Sequence, residues 1–233
     1  MASLIECPSP NHGPRPAGVP VDILLLHYTG MRSGEAALDR LIDAEAKVSA
    51  HYMIDEDGSI YRLVDEGRRA WHAGVSAWAG STDVNGRSIG IELVNPGHEF
   101  GYRAFPEPQM AALIDLAQGI LARHPIPASR VLGHSDVAPA RKQDPGELFD
   151  WPRLARAGIG LWPERAAPRT APVGEVQALL ARFGYEVPQS GALDEATAAV
   201  IAAFQRHFRP ARFDGVPDAD TIGRIDALIA RLD

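Results

Sequence analysis

The stretch that decides the fold is VDILLLH, residues 21–27, an unbroken apolar run that ends on a histidine. A run of this kind is typical of a buried strand. In α/β proteins ligands bind at the carboxyl ends of the strands, so a polar side chain at that end is a candidate for chemistry. The stretch therefore predicts a central strand that presents His27 to a binding site.

Helical and strand-like patterns alternate around this run. Ser33 can cap a helix over residues 33–46, and Asp57-Gly58 indicates a hairpin. Three further segments continue the alternation: a strand over 88–94, an amphipathic helix over 107–124 and a short strand over 130–134. The sequence therefore predicts an α/β domain, with a mixed central β-sheet flanked by helices, at residues 1–160.

The last part of the chain has a different pattern. Residues 161–172 are rich in Pro and Ala and show no periodicity, which is typical of a linker. Residues 173–233 contain three helical segments, which predict a small three-helix bundle domain. We see no internal repeat in the sequence.

Composition excludes several classes of function. The formal net charge is −7, whereas nucleic-acid-binding proteins show a basic footprint, so we expect no nucleic acid partner. No stretch approaches the ~20 apolar residues of a membrane span, so we expect none. The sequence leaves the oligomeric state open.

The N-terminus bears on the compartment. It lacks a basic region followed by an apolar run, so it does not resemble a signal peptide. The single cysteine, Cys7, lies in a Pro-rich stretch that we expect to be irregular, and it leaves no intrachain disulfide, which fits a reducing compartment. We predict a cytoplasmic protein, with a periplasmic location as the alternative if the sequence has lost an export signal.

Three residues form a candidate metal site. His27 and His134 each end a predicted strand, and Asp144 follows in the loop GHSDVAPARKQDPG, residues 133–146. Two imidazoles and a carboxylate, with a fourth position left to water, are typical of a catalytic zinc site.

Two charged residues fit catalysis beside such a metal. Glu92 lies on the face of its strand opposite Ile89 and Ile91, where it can take a proton from water. Lys142, in the same loop as Asp144, can stabilise negative charge on a carbonyl oxygen.

Residue pattern alone leaves other interpretations open. A histidine at a strand end is more often a surface or hydrogen-bonded residue, and Glu92 fits the polar half of an amphipathic strand. The HSD motif at 134–136 also fits half of an iron-binding triad, which needs a distal histidine, and His207 is the only one downstream.

Longer segments resemble a known family. ILLLHYTG, SAHYMIDEDGSIYRLVDEGRRAWHAGVSAWAG, SIGIELVNPG and GHSDVAPARKQDPGELFDW occur in order across residues 20–152. Together they resemble the zinc-dependent N-acetylmuramoyl-L-alanine amidases of the AmpD and AmiD type. AWHAG and the H…K-x-D-P arrangement carry most of this resemblance.

The resemblance implies a function for the candidate site. It implies one Zn²⁺ per chain and hydrolysis of the amide between N-acetylmuramic acid, or its 1,6-anhydro form, and L-alanine in peptidoglycan or muropeptides. The implied roles are zinc ligands for His27, His134 and Asp144, catalytic base for Glu92, oxyanion stabiliser for Lys142, and substrate-binding residues for Arg141, Trp71 and His72.

The C-terminal segment resembles a second family. EVQALLARFGY and GALDEATAAVIAAFQ resemble a peptidoglycan-binding three-helix module. Peptidoglycan or muropeptides are therefore the expected partner. The competing hypothesis is a peptidoglycan recognition protein without turnover, because the amidase fold has noncatalytic members that lose a zinc ligand.

Overall fold

The computed structural model describes residues 4–163 and 166–232. Residues 1–3 and 233 at the chain ends, and Glu164 and Arg165 in the predicted linker, lie outside the described residues. The strands are β1 (Leu4–Glu6), β2 (His12–Pro14), β3 (Ile23–Tyr28), β4 (Tyr52–Ile54), β5 (Ile60–Arg62), β6 (Arg68–Ala70), β7 (Ser88–Leu93) and β8 (Val131–Gly133). The α-helices are α1 (Gly34–Ile42), α2 (Val84–Arg87), α3 (Gly97–Phe100), α4 (Glu107–Arg123), α5 (His134–Val137), α6 (Trp151–Arg156), α7 (Val173–Phe183), α8 (Glu195–Phe208) and α9 (Ala219–Ile229).

The central sheet is mixed, as predicted. Its strand order is β1-β5-β4-β7-β3-β8, and the hairpin β4–β5 supplies the antiparallel pair. The strand predicted from VDILLLH is β3, which lies between β7 and β8 and pairs with both in parallel. The carboxyl ends of these strands therefore meet at one edge of the sheet.

The two faces of β3 pack against different parts of the molecule. Leu24 and Leu26 join a core with the long helix α4. Ile23 and Leu25 point the other way and join a core that contains apolar side chains of α7, α8 and α9. Both faces of the strand are thus buried by helices, which accounts for its continuous apolar sequence.

The N-terminal segment differs from its expected irregular conformation. β1 pairs in parallel with β5 at the edge of the central sheet, and β2 pairs antiparallel with β6. β1 is three residues long and exposed, so it has no alternation of apolar and polar residues from which a strand could be predicted.

The C-terminal helices contain a structural repeat, although the sequence pattern predicted none. The side chain of Gln177 binds the backbone N–H of Gly191 and the hydroxyl of Thr197. Asp194 caps α8 by accepting from the N–H of Thr197, 2.8 Å away. The second copy uses Gln205, Gly215, Asp218 and Thr221 with the same pairings. The shared pattern G-x-x-D-x-x-T is only seven residues long. The glutamine also lies at a different distance before the glycine in each copy, so the sequence shows no regular period.

The C-terminal helices pack tightly against the α/β part of the chain. Trp78 makes edge-on ring contacts with Phe183 and Tyr185. A Cβ on Gly184 would lie 2.5 Å from the Trp78 indole, so only glycine fits. The N–H of Ala79 donates to the carbonyl of Gly184. One apolar core therefore continues from the sheet into the helices, while the domain boundaries placed at 160 and 173 stay a prediction. No helix in the described ranges combines the length and the apolarity that a membrane span requires.

Candidate metal centre

The sheet brings the predicted ligands together. His27 lies at the carboxyl end of β3, and Glu92 is its partner in register on β7. β8 lies on the other side of β3, and His134 follows β8 directly as the first residue of α5. The loop after α5 returns to the same edge, where the carbonyl of Asp144 accepts from the N–H of Ser135 at 2.9 Å.

Three ligand atoms converge at this edge. Nδ1 of His27 lies 2.9 Å from Nδ1 of His134, and each nitrogen is 3.1 Å from Oδ2 of Asp144. All three side chains are buried. Within the described residues, His27, His134 and Asp144 form the cluster of potential ligands that is close enough to hold a metal ion.

The hydrogen-bond partner of His134 fixes its tautomer. Nε2 of His134 lies 2.9 Å from the carbonyl oxygen of Ala73, which can only accept, so a neutral His134 carries its hydrogen on Nε2. Nδ1 then presents a lone pair to the carboxylate of Asp144. Two lone pairs 3.1 Å apart repel unless a cation, either a proton or a metal ion, lies between them. The outward N–H to a backbone carbonyl is also the usual arrangement for a metal-binding histidine.

His27 has a similar outward partner. Its Nε2 lies 3.0 Å from Nδ1 of His72, whose own Nε2 is 3.3 Å from the hydroxyl of Ser88. This chain of contacts leaves Nδ1 of His27 free to face the metal position. His72 fits there because position 90 is glycine, where a Cβ would lie 2.6 Å from the imidazole.

The electrostatics of the three residues suit a divalent cation. Burial, and then the neighbouring His134, lower the pKa of His27 to about 4, so its imidazole is neutral at pH 7. Burial alone would raise the pKa of Asp144, but positive charge on His134 and His27 and hydrogen bonds from their imidazoles hold it below its usual value, so the ionised carboxylate needs a cation at this position, either a proton or a metal ion. Neutral imidazoles and an ionised carboxylate are the protonation states that metal binding requires, and this donor set fits zinc.

Glu92 has the environment of a catalytic carboxylate. Its Oε2 is buried and has no hydrogen-bond partner among residues 4–163 and 166–232. Burial, and to a lesser extent the charge of Asp144, raise the pKa of Glu92 well above its usual value, while Lys142 opposes this. An unpaired buried carboxylate beside a candidate metal site is available for proton transfer.

A cavity of about 410 Å³ opens onto this site. It is lined by Glu92, His134 and Asp144 and by the cationic side chains of Arg40, Arg141 and Lys142, among others. The guanidinium of Arg141 donates to the carbonyls of Ala73 and Val75, which holds it at the cavity wall. The cavity therefore joins the candidate metal site to three cationic side chains, and Glu99 is a further acidic residue in its lining.

The last two predicted site residues lie in different surroundings. His72 lines the cavity and also contacts His27. The sequence did not indicate this contact behind the metal ligand. Trp71 is half-buried, with its indole nitrogen next to Gly13 of β2. Its backbone N–H donates to the hydroxyl of Ser49.

The residues of the HSD motif separate in the structure. His134 faces the metal position, whereas Asp136 is fully buried and faces away from it. Nδ1 of His207 lies 2.7 Å from Oδ2 of Asp136, so the distal histidine of the iron-triad hypothesis contacts the aspartate but not the metal position. The three residues therefore do not form an iron triad.

Comparison with known proteins now decides the family. The profile of the family described as N-acetylmuramoyl-L-alanine amidase matches residues 17–147. The chain belongs to this amidase family. A second profile, described as a putative peptidoglycan binding domain, matches residues 169–225. Both resemblances predicted from the sequence are confirmed.

Alignments with individual relatives cover between 63% and 92% of this chain. The N-acetylmuramoyl-L-alanine amidase AmiD of Escherichia coli (strain K12) is 39% identical, over 91% of this chain and 83% of its own length. The solved complex of E. coli AmiD with its substrate anhydro-N-acetylmuramic acid-L-Ala-D-gamma-Glu-L-Lys matches with a TM-score of 0.83, over 92% of this chain and 91% of that chain. The 1,6-anhydro-N-acetylmuramyl-L-alanine amidase AmpD of Enterobacter cloacae is 35% identical, over 63% of this chain and 86% of its own length. The predictions of an enzyme and of its N-acetylmuramoyl-L-alanine amidase activity are confirmed.

Proposed function

We propose that the amidase binds one zinc ion through His27, His134 and Asp144, and that Glu92 and Lys142 carry out proton transfer and charge stabilisation. The observation that carries the proposal is the convergence of two imidazole nitrogens and a carboxylate oxygen, within 3.1 Å of one another, at the floor of the cavity. The bond cleaved joins the lactyl group of N-acetylmuramic acid to L-alanine.

Zinc, when bound, lowers the pKa of water to about 7 and polarises a carbonyl group. Glu92 takes the proton of the attacking water and returns it to the leaving amine. Its buried, unpaired oxygen and its position beside His27 in the sheet register support this role. A carboxylate with a raised pKa suits both the uptake and the delivery of a proton.

Lys142 stabilises the negative charge that develops on the carbonyl oxygen. The ammonium lines the cavity and lies close enough to His27 and Glu92 to influence the pKa of both groups. A preorganised positive charge beside the reacting carbonyl needs no reorganisation when the negative charge develops.

Stem peptides carry carboxylates, which the cationic wall of the cavity suits. Arg141 is the proposed contact for a stem-peptide carboxylate, because its guanidinium is held at the wall by backbone carbonyls. His72 and Trp71 are the proposed wall residues of the substrate groove, and His72 lines the cavity. The C-terminal helices are proposed to bind peptidoglycan or its muropeptide fragments, which the match to a putative peptidoglycan binding domain supports.

The substrate and the compartment are linked. AmiD of E. coli has been solved with an anhydro-N-acetylmuramic acid peptide, and AmpD is named for the 1,6-anhydro sugar. We propose soluble anhydro-muropeptides as substrates and the cytoplasm as the compartment. The unpaired Cys7 fits a reducing environment.

Digestion of two substrates tests the proposal. The zinc-loaded protein is incubated with intact sacculi and, in parallel, with soluble anhydro-muropeptides, and the products are identified by mass. We expect free peptides beginning with L-alanine from the soluble substrate. Equal or faster release from sacculi would contradict the proposed substrate and support the periplasmic alternative. No amide cleavage of either substrate would refute the proposed reaction.

A further inference from the structure

Asp136 connects the metal ligand His134 to the C-terminal helices. It lies in the same single helical turn as His134, and its Oδ2 accepts from the backbone N–H of Gly133, 2.7 Å away. This bond closes the turn at the residue directly before His134. The position of the Asp136 carboxylate therefore fixes the backbone from which the ligand projects.

The other donors to this carboxylate come from the C-terminal part of the chain. The hydroxyl of Tyr185 donates to Oδ1 of Asp136 at 2.6 Å, and Nδ1 of His207 lies 2.7 Å from Oδ2. The imidazole of His207 is stacked between the rings of Trp151 and Phe208, with centroid distances of 3.6 and 3.8 Å. Both donors are buried and held in fixed orientations.

A second connection runs through the acceptor of His134. The carbonyl of Ala73, which accepts from Nε2 of His134, begins the loop that contains Trp78. Trp78 packs against Tyr185, and the next residue, Ala79, binds the backbone of Gly184. The turn at residues 184–185 therefore supports His134 in two ways, through Asp136 and through the loop that begins at Ala73.

We propose that the C-terminal helices are part of the metal centre, with Tyr185 and His207 as positioning residues that orient His134 through Asp136. The inference rests on the metal site proposed above and goes beyond wall binding by these helices. Loss of the Tyr185 hydroxyl leaves Oδ1 of Asp136 buried without its donor, and loss of His207 leaves Oδ2 with only the N–H of Gly133, so the turn relaxes to find another donor. A structural role alone would lower stability without changing the zinc affinity of the folded protein.

The first test uses a matched pair of variants in the full chain. Tyr185→Phe removes one hydroxyl from Asp136. Tyr52→Phe removes an equivalent hydroxyl, which donates to Glu66 at 2.7 Å and does not contact the metal ligands. Zinc affinity is measured by competition with a chelator on protein whose folding has been checked by near-ultraviolet circular dichroism.

Loss of an outer partner of a metal ligand typically costs ~10–100-fold in metal affinity. We expect Tyr185→Phe to weaken zinc binding by about 10-fold, and Tyr52→Phe to leave it at the wild-type value. Equal zinc affinities for both variants and the wild type would overturn the positioning role. A wild-type chain that binds no zinc would overturn the metal centre itself, so the two failures are distinguishable.

Variants at His207 separate hydrogen bonding from ring stacking. His207→Phe keeps an aromatic ring between Trp151 and Phe208 but removes the donor to Asp136. His207→Asn places an amide N–H where Nδ1 lies but gives up the stacking. We expect zinc affinity to fall in His207→Phe and to be largely retained in His207→Asn. The reverse order would show that packing, and not the contact with Asp136, supports the ligand.

A measurement on the wild type needs no variant. Coupling between two sites is reciprocal, so helices that strengthen zinc binding must themselves be strengthened by zinc. We expect added zinc to slow amide hydrogen exchange around Tyr185 and His207 as well as in α5. Slower exchange confined to the ligand segments would contradict the proposal.

Discussion

Asp136 and Asp144 are two buried carboxylates on the same stretch of chain, and their surroundings are opposite. Asp136 accepts hydrogen bonds from Gly133, Tyr185 and His207. Oδ2 of Asp144 instead faces Nδ1 of His27 and of His134, and a neutral His134 with its hydrogen on Nε2 presents no hydrogen there.

The difference separates a carboxylate that positions a ligand from a carboxylate that is itself a ligand. A buried charge that is fully hydrogen-bonded needs nothing more, and Asp136 joins two parts of the fold. A buried carboxylate that faces imidazole lone pairs is stable only with a cation, and Asp144 also borders the cavity. We expect this distinction to govern zinc binding, catalysis and stability.

The largest effect is expected from exchanging the two carboxylates for amides. Asp144→Asn removes the ligand charge, so we expect zinc binding and amidase activity to be lost, beyond the ~10–100-fold cost of an outer-partner mutation. Asp136→Asn keeps all three ligands but loosens the turn that carries His134, so we expect zinc affinity to fall by only about 10-fold, with a stability cost of about 1.5–3 kcal/mol for each charged hydrogen bond lost. Zinc content and urea unfolding of both variants measure the contrast. Comparable zinc loss in the two proteins would refute it.

Glu92 extends the comparison to a carboxylate that has no hydrogen-bond partner in the part of the chain that the structure describes. Glu92→Gln keeps the shape of the side chain but cannot accept a proton, so we expect turnover to fall by ~10²–10⁴-fold. Zinc affinity should stay at the wild-type level, because Glu92 is not a proposed ligand. The checks are kcat on a soluble muropeptide and zinc content by mass spectrometry. Wild-type turnover in this variant would remove Glu92 from the mechanism.

Zinc itself should stabilise the Asp144 cluster. A ligand that binds only the folded state adds RT ln(1 + [L]/Kd), which is about 2.7 kcal/mol at a free concentration of ~100 Kd. We therefore expect Tm to rise with free zinc in the wild type and to stay constant in Asp144→Asn. A melting curve of the wild type that does not respond to zinc would argue against a folded-state zinc site.

Glu66 offers a smaller test, because it is a carboxylate that accepts several hydrogen bonds, as Asp136 does. Burial alone would raise its pKa, but hydrogen bonds from Arg123, His124 and Tyr52 lower the pKa of Glu66 to about 2. A depressed folded-state pKa contributes stability above the unfolded value of 4.5, and this contribution is lost as the pH falls towards 2. We expect Glu66→Gln to lose about 1–3 kcal/mol of unfolding free energy at neutral pH and less at acid pH. Urea unfolding across this range measures it, and a difference independent of pH would contradict the assignment.

The sequence predicted three residues of the candidate site because they lie at the ends of strands. His27 and Glu92 occupy the ends of apolar or alternating runs, and parallel pairing of those runs brings the two residues into register. His134 follows the third strand of the same edge. Strand ends meet at one edge of a sheet whatever the loops do, so this part of the arrangement can be read from local pattern.

The contacts behind the site could not be read in this way. His207 is 71 residues from Asp136, and no periodicity relates the two. The partner of His27 was also hidden, because His72 stands in a loop whose path depends on the packing of Trp78. Local pattern is silent on such pairings, since they depend on how separate segments pack.

The interlock of Trp78 with Gly184 has a consequence for protein engineering and for evolution. A peptidoglycan-binding module joined by a loose tether could be swapped among enzymes as an interchangeable cassette. Here any graft must also bring a residue without a side chain to face the indole, because a Cβ there would lie 2.5 Å from it. The two parts of the chain must therefore evolve together. A substitution of Trp78 or of Gly184 requires a matching change in the other residue, although neither is part of the candidate metal site.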